Sequence, residues 1–498
     1  MRAGYTVAQI RDAEARAMAV LGPDALMQRA AAGLAAAILR RLPSAEPLRF
    51  GRTPVLERRG STETEGFGDF GGGRGAYGAR VLLVVGSGNN GGDALFAGAR
   101  LARRGVRVTA WRAGSGVHEA GWQAFLAAGG REVDAATAGA ELSRQRCVVD
   151  GVAGIGSRPG LAPALAGFVA ACREHDVPVV AVDLPSGLAP EPPFPESSHV
   201  IAALTVTFGG YKLCQLMEPA RAECGEIELV DIGLDLPEPA VSQWEPSDVA
   251  ASWPVPDARS DKYSRGVVGL DTGSLDYPGA AVLTAAGAVA AGAGMVRYLG
   301  PAPVANRVID RFPNVVAAPG RVQALVVGSG WGDRVDAGAI QRAVDSGLPL
   351  VVDADGLRHL PARGHAGVLL TPHSGELARL LGCPRDEVEA DPLSAVRAAV
   401  SRTGCTVLLK GATQYVATVG SDRVWLAVPG AGWTAQAGSG DVLAGICGTL
   451  LAAGLGPVEA ALAGASIQAI AARETPGPVA PQDLRLPIAD LLAFGRRR

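Results

Sequence analysis

The chain runs to 498 residues, which sets two or three domains with ample core as the starting expectation. Lys plus Arg total 46 against 49 Asp plus Glu, and the resulting net charge of −3 points away from nucleic acid and from an acidic membrane surface. Seven cysteines without CxxC pairing fit reduced, mostly buried thiols in a cytoplasmic protein better than a disulfide framework, and the six histidines show neither HExxH nor zinc spacing.

The opening MRAGYTVAQIRDAEARAM is too charged for a signal peptide. Ala, Leu, Ile and Met recur at helical spacing over residues 5–41 and predict two helices. Residues 44–80, which include RRGSTETEGFGDFGGGRGAYG, are rich in Gly, charge and Ser/Thr and read as a flexible insertion. Strand-like runs then alternate with helical stretches: 81–85, 106–111, 147–150, 177–183, 204–208 and 227–232. That alternation predicts a Rossmann-like parallel sheet with helices on both faces, a three-layer α/β/α arrangement.

The first of these runs leads into VLLVVGSGNNGGD, which fits GxGxxG. A dinucleotide-binding turn also needs an acidic residue about 20 positions on, to hold the ribose. The second strand instead ends in Trp111 and Arg112, so only an NADP version of that reading stays open. Asn89, Asn90 and Asp93 crowd the turn with polar groups that look like direct ligands for a substrate or a cation. Two further strand ends are polar: Asp150, followed by the glycine-rich GVAGIGSRPG, and Asp183-Leu-Pro-Ser186-Gly. In parallel α/β sheets, ligands sit beyond such carboxyl ends. Asn90, Asp150 and Ser186 are hard oxygen donors with one carboxylate among them, which suits K⁺ better than zinc, Ca²⁺ or Mg²⁺. Asp93 or Asp183 could then move the proton. The alternative is that these are helix N-caps and Asx turns.

Residues 236–257, LPEPAVSQWEPSDVAASWPVPD, are rich in Pro, Ser and acids and read as a linker between a domain at 1–235 and a second at 258–498. A second alternating region follows, with runs at 266–271, 324–328, 348–355, 367–371 and 406–410. Between them, AAVLTAAGAVAAGAGMV (280–296) is the best membrane-span candidate, but its Ala and Gly predict a tightly packed core helix.

The sharpest stretch of the second half is AGSGDVLAGICGTLLAAG, residues 437–454. A Gly-Ser-Gly turn that opens a helix aims backbone N–H groups at an anion, and Asp441 beside it can take a proton from a hydroxyl attacking a phosphoryl group. No GxxxxGK[ST] is present, which favours a ribokinase-like site over a P-loop. Lys410 closes a strand and is either a phosphate contact or a solvated lysine. His373 stands at another strand end, with Ser374 and Glu376 accounted for by a capped helix start. Asp353 and Asp355 read equally as indirect Mg²⁺ partners and as strand-end caps.

GSGNNGGD, VDLPSG and TFGGYKLCQLMEPARAECGEIELVDIGL, with RDAEARAM and ALMQRAAAGLA before them, resemble the epimerase domain of the NAD(P)H-hydrate repair enzymes. DKYSRG, GSLDYPGAAVL, GAGMVRYL, VVGSGWG, VVDADGL, TPHSGE and AGSGDVLAG resemble the dehydratase domain of the same enzymes, in the same order. The resemblance implies that the first domain interconverts the R and S forms of hydrated NADH or NADPH. Asn89, Asn90, Gly91, Gly92 and Asp93 would contact the hydrate. Gly154, Ile155, Gly156, Ser157, Arg158, Pro159 and Gly160 would wrap its phosphates, with Asp183 at the epimerising centre and K⁺ on Asn90, Asp150 and Ser186. It implies that the second domain dehydrates the S form with Mg²⁺ and ADP, giving AMP and phosphate. Ala280, Gly330, His373 and Asp441 would contact the hydrate, Lys410, Gly411, Ala412, Thr413, Gln414 and Gly440 would hold ADP, and Asp441 would be the base. GVAGIGSRPGL, GGDAL and VPGAGWTAQAGSGD depart from the family's usual segments. The partners expected are small molecules and further copies of the chain, with no membrane and no nucleic acid. A ribokinase-like small-molecule kinase with an N-terminal binding domain, or a dehydratase with an inactive epimerase domain, are the alternatives.

Overall fold

The structure is a computed structural model and describes residues 1–42, 76–332, 338–361, 365 and 367–495. Most of the expected insertion at 44–80 lies outside the described residues; its last residue, Arg80, already begins a strand. The chain divides into two compact units, Ala3–Pro239 and Ala240–Arg498 with Met1 and Arg2.

In the first unit two helices, Val7–Leu21 and Pro23–Arg41, precede a seven-stranded sheet. Its order is Arg131–Glu132, Arg107–Arg112, Arg80–Val85, Cys147–Gly151, Val179–Val182, Leu204–Phe208, Glu226–Val230, and every neighbouring pair is parallel. The six expected strands are all present, and the short Arg131–Glu132 is added at the edge. Val81, Leu83 and Val85 pack with Leu34, Ile38 and Phe125, while Leu82 and Val84 pack with Leu142, Val148 and Phe168. Both faces are covered, which is why these strands read as continuous apolar runs. The sheet changes direction of winding at Arg80–Val85, the place where a ligand crevice opens in such sheets.

The second unit holds a mixed sheet. From Val315–Val316 it runs through Met295–Tyr298, Val267–Asp271, Ala324–Val327, Leu350–Val352 and Val368–Leu370 to Thr406–Leu409, all parallel. The expected parallel region is therefore present, but an antiparallel extension, Tyr415–Ala417 and Val424–Leu426, continues it. The expected linker at 236–257 is corrected: Val241–Gln243 pairs in parallel with Val424–Leu426, and Pro246–Ser252 is a helix of this unit. Its prolines start that helix and punctuate its flanks; Val241, Trp244, Val249 and Trp253 are buried.

The Ala/Gly stretch is a core helix, Pro278–Ala290, after which 295–298 turns to strand. It lies directly against the helix Ser439–Ala452. A methyl group at Gly287 would stand 2.0 Å from the Val442 carbonyl oxygen, and one at Gly445 would stand 2.0 Å from that of Thr284. Only glycine allows this backbone approach, which seats the start of helix 439–452. Among the described residues no helix is long and apolar enough to cross a membrane. Gly445→Ala is expected to force the two helices apart and to cost about 1–3 kcal/mol. Urea unfolding followed by tryptophan fluorescence should show an earlier midpoint, and an unchanged midpoint would refute the close-packing account.

Candidate functional site

In the first unit three strand ends converge. Asn89 to Asp93 form the first turn of helix Asn89–Ala102. The Asn90 amide donates to the carbonyls of Val182 (2.6 Å) and Ala153 (3.0 Å). The buried Asp150 carboxylate accepts from the Ser186 hydroxyl (2.6 Å), the Ser186 N–H (2.8 Å) and the Val152 N–H (3.3 Å). The Ser186 hydroxyl in turn accepts from the Ala153 N–H at 2.9 Å. Asn90, Asp150 and Ser186 are thus joined through one loop residue. Burial outweighs these hydrogen bonds and raises the Asp150 pKa, and no cationic side chain pairs with it among the described residues. A buried carboxylate beside carbonyl, amide and hydroxyl groups suits an alkali cation.

The glycine-rich loop is less uniform than expected. Gly156 to Gly160 are exposed, whereas the Ile155 side chain is partly buried and packs against the small core of Leu184, Leu188 and Cys214. The Arg112 guanidinium donates through Nε to Glu132 at 2.6 Å and lies 5.4 Å from the Trp122 ring.

Asp183 ends its strand with φ +68°, the left-handed region a non-glycine residue rarely occupies. Its Oδ1 accepts from the Thr207 hydroxyl (3.1 Å), the Phe208 N–H (3.2 Å) and the Lys212 ammonium. Lys212 is 1 % exposed and also donates to Thr207 Oγ1 and the Phe208 carbonyl. The Gln215 amide holds the Asp183 carbonyl at 2.6 Å. Lys212 and Gln215 were not singled out from sequence. A lysine inside the apolar run YKLCQLM was the available signal.

In the second unit Asp441 sits in the first turn of helix Ser439–Ala452, behind Gly438 at φ +90°. Lys410 is partly buried and paired: its ammonium donates to Asp353 Oδ1 at 2.7 Å and lies 3.1 Å from where a methyl on Gly440 would be. Asp353 also accepts from the hydroxyls of Thr371 (2.8 Å) and Ser329 (2.9 Å). Burial opposes its charge, but Lys410 and these hydroxyls win, and the carboxyl stays below its ordinary range. Asp355 accepts from the Gly332 N–H at 2.8 Å and faces Arg358 at 3.5 Å. Both aspartates of VVDADGL are therefore held by protein donors. Asp441 is different. Burial and then the charge of Asp353 push its pKa up to about 7, against the pull of Lys410 and a hydrogen bond from Ser329.

Ala280 and Gly330 meet at this site, since a methyl on Gly330 would stand 2.4 Å from the Ala280 side chain. His373 is the N-cap of helix Ser374–Leu381: its Nδ1 accepts from the Gly375 N–H at 3.0 Å while Glu376 accepts from the His373 N–H at 2.9 Å. The capped start thus includes His373, whose backbone pairs with Lys410 and leaves the ring exposed beside the site. Gly411 and Ala412 are exposed, Thr413 is buried, and the Gln414 carbonyl is bound by the Ala427 N–H at 3.1 Å.

Residues 23–214 match the family model described as YjeF-related protein N-terminus, and residues 268–486 match that described as NAD(P)H-hydrate dehydratase. The bifunctional NAD(P)H-hydrate repair enzyme Nnr of Mycobacterium leprae (strain TN) is 44% identical over 494 residues, 96% of each chain. The enzyme of the same name from Mycobacterium tuberculosis (strain ATCC 25618 / H37Rv) is 45% identical over 474 residues, 93% of this chain and 91% of its own. A solved structure described as ADP/ATP-dependent NAD(P)H-hydrate dehydratase from Bacillus subtilis is 26% identical and covers 52% of this chain and 98% of its own, with a TM-score of 0.45. The chain belongs to the family of bifunctional NAD(P)H-hydrate repair enzymes.

Proposed function

We propose that this chain restores hydrated NADH and NADPH in two steps. The first unit interconverts the R and S hydrates at Asp183, and the second removes water from the S form at the expense of ADP, giving AMP and phosphate. The observation that carries the reading is Asp441: a carboxyl raised to about 7, on a Gly-Ser-Gly helix start, beside the partly buried, ion-paired ammonium of Lys410.

The ring hydroxyl is a poor leaving group near neutral pH; phosphorylation turns it into a phosphate ester, whose C–O bond breaks to release phosphate while the neighbouring ring carbon gives up a proton to solvent and the double bond returns. Asp441 takes the proton from the ring hydroxyl as that oxygen bonds to the terminal phosphorus of ADP and AMP departs. The helix N-terminus and Lys410 carry the charge that develops on the phosphate oxygens. Gly440 and residues 410–414 hold the nucleotide, while Ala280, Gly330 and His373 bound the hydrate. Mg²⁺ would enter with the phosphates and reach Asp353 and Asp355 only indirectly, because protein donors already occupy both. In the first unit Asn89 to Asp93 and residues 154 and 156–160 hold the hydrate, and K⁺ fits beside Asn90, Asp150 and Ser186, where it would offset the buried carboxylate.

Asp441→Asn should lower recovery of reduced-nicotinamide absorbance from S hydrate and ADP by about 10²–10⁴-fold and leave R/S interconversion intact. Asp183→Asn should do the reverse, and a folded variant that loses both activities would overturn the two-site assignment. The base must be ionised, so the kcat/KM of dehydration should fall about tenfold per pH unit below about 7 and level off above it. A profile flat down to pH ~5 would remove Asp441 as the base. Exchanging K⁺ for tetramethylammonium should slow epimerisation but not dehydration, with recovery when K⁺ is returned.

A further inference from the structure

Beside Asp183 lies a second carboxyl group that the steps above leave without a chemical task. Asp93 is 6 % exposed, and its Oδ1 has no hydrogen-bond partner among the described residues. Burial, then the charges of Asp183 and Glu14, push its pKa well above the ordinary carboxylate range, and Lys212 offsets this only partly. Glu14 is raised in the same way by burial and by Asp183, with Lys212 and Arg11 opposing. The two aspartates differ in surroundings: Asp183 is ion-paired and bonded on Oδ1 by Thr207, Phe208 and Lys212, whereas Asp93 meets no cation at hydrogen-bond range among the described residues. Neighbouring carboxyls in such unlike settings are a mark of divided acid and base roles.

Hydration of a carbon–carbon double bond conjugated to a nitrogen places the hydroxyl on the carbon next to that nitrogen. The nitrogen lone pair can expel this hydroxyl if its oxygen is protonated. The carbon then becomes flat and shares the positive charge, and water returning from the opposite face gives the other epimer. Such a route needs a proton donor at the oxygen and an anion beside the cation.

On the reading that this unit epimerises the hydrate, we propose that Asp93 is the proton donor, that Asp183 is the anion facing the cationic ring, and that Lys212 is a positioning residue that fixes Asp183. The Asp93 proton passes to the hydroxyl oxygen, the C–O electron pair leaves with that oxygen as water, and the nitrogen lone pair forms the C=N bond. On return, a water oxygen forms the C–O bond on the other face and its proton goes back to Asp93. All three donors to Asp183 converge on Oδ1 and none of them reaches Oδ2, the oxygen left to face the ring.

The test uses the full chain, purified R hydrate, no nucleotide, and water labelled in its oxygen. Chiral separation with mass spectrometry reads epimer and label together. One labelled oxygen per inversion is expected. Inversion without label overturns the route. Asp93→Asn, close to the native shape, should slow inversion and label uptake together by about 10²-fold or more, while dehydration of S hydrate with ADP stays normal and an unchanged thermal melt followed by circular dichroism reports that the first unit is folded. An Asp93→Asn protein that inverts at the native rate overturns the donor assignment. Lys212→Met should lower kcat with little change in KM, and Lys212→Arg should restore part of it; equal loss in both variants overturns the positioning role. If the native chain neither inverts nor labels the hydrate, the epimerase reading itself fails.

Discussion

The same electrostatic device stands in both units: a lysine, buried at Lys212 and partly buried at Lys410, is bound to one aspartate and leaves a second, nearby aspartate without an ion-pair partner among the described residues. In the first unit Lys212 binds Asp183, and Asp93 is raised by burial and by Asp183. In the second Lys410 binds Asp353, and Asp441 is raised by burial and by Asp353. A buried ammonium alone would shed its proton, and a buried carboxylate alone would take one up. Paired, they keep a fixed charge in a low-dielectric place, and that charge acts on the second carboxyl at close range. The lysines are therefore part of how each site is tuned, even though neither needs to touch the reacting atoms for that purpose.

Such a device works only if the backbone holds its parts still. In the first unit the carboxyl ends of adjacent parallel strands supply the Asp150 and Asp183 positions, and helix 89–102 starts directly above them. In the second, the glycine contacts between helices 278–290 and 439–452 set where Asp441 begins its helix. Gly287 and Gly445 leave no side chain to yield, so a shift at that contact moves the helix start itself. Backbone packing against Val442, the residue after Asp441, thus bears on the distance between Asp441 and Lys410.

Much of this was legible in the sequence because buried parallel strands are written as short apolar runs. The six runs of the first unit and the strand ends carrying Asn90, Asp150, Asp183 and Ser186 follow from that pattern. What escaped has a common physical reason. Lys212 and Lys410 look like surface residues by type, and only the fold shows that Lys212 is enclosed, that Lys410 is partly buried, and that both are paired. Residues 236–257 look like a linker because Pro, Ser and acids are frequent, yet buried Val241, Trp244, Val249 and Trp253 complete the second unit. The pattern at 374–376 signals a capped helix start without showing that His373 is the cap; its Nδ1 does what a Ser or Asp oxygen does elsewhere. Ile155 sits in an otherwise glycine-rich, exposed run, and only the fold shows its side chain packed against Leu184, Leu188 and Cys214.

The charge balance around Asp441 bears on how a nucleotide could be accepted there. Asp353 is offset by Lys410, and Asp355 stands 3.5 Å from Arg358, so Asp441 remains as the carboxyl without a fixed counter-charge. A diphosphate brings more negative charge to the same place. On its own that would raise Asp441 further and weaken it as an acceptor for the attacking hydroxyl's proton. The backbone N–H groups of the Gly-Ser-Gly turn contribute only about half a unit of positive charge at the helix start. The remaining compensation has to arrive with the nucleotide. A divalent cation carried on its phosphates satisfies that requirement without displacing any donor from Asp353 or Asp355, and it would keep Asp441 in the range where it can still change protonation state.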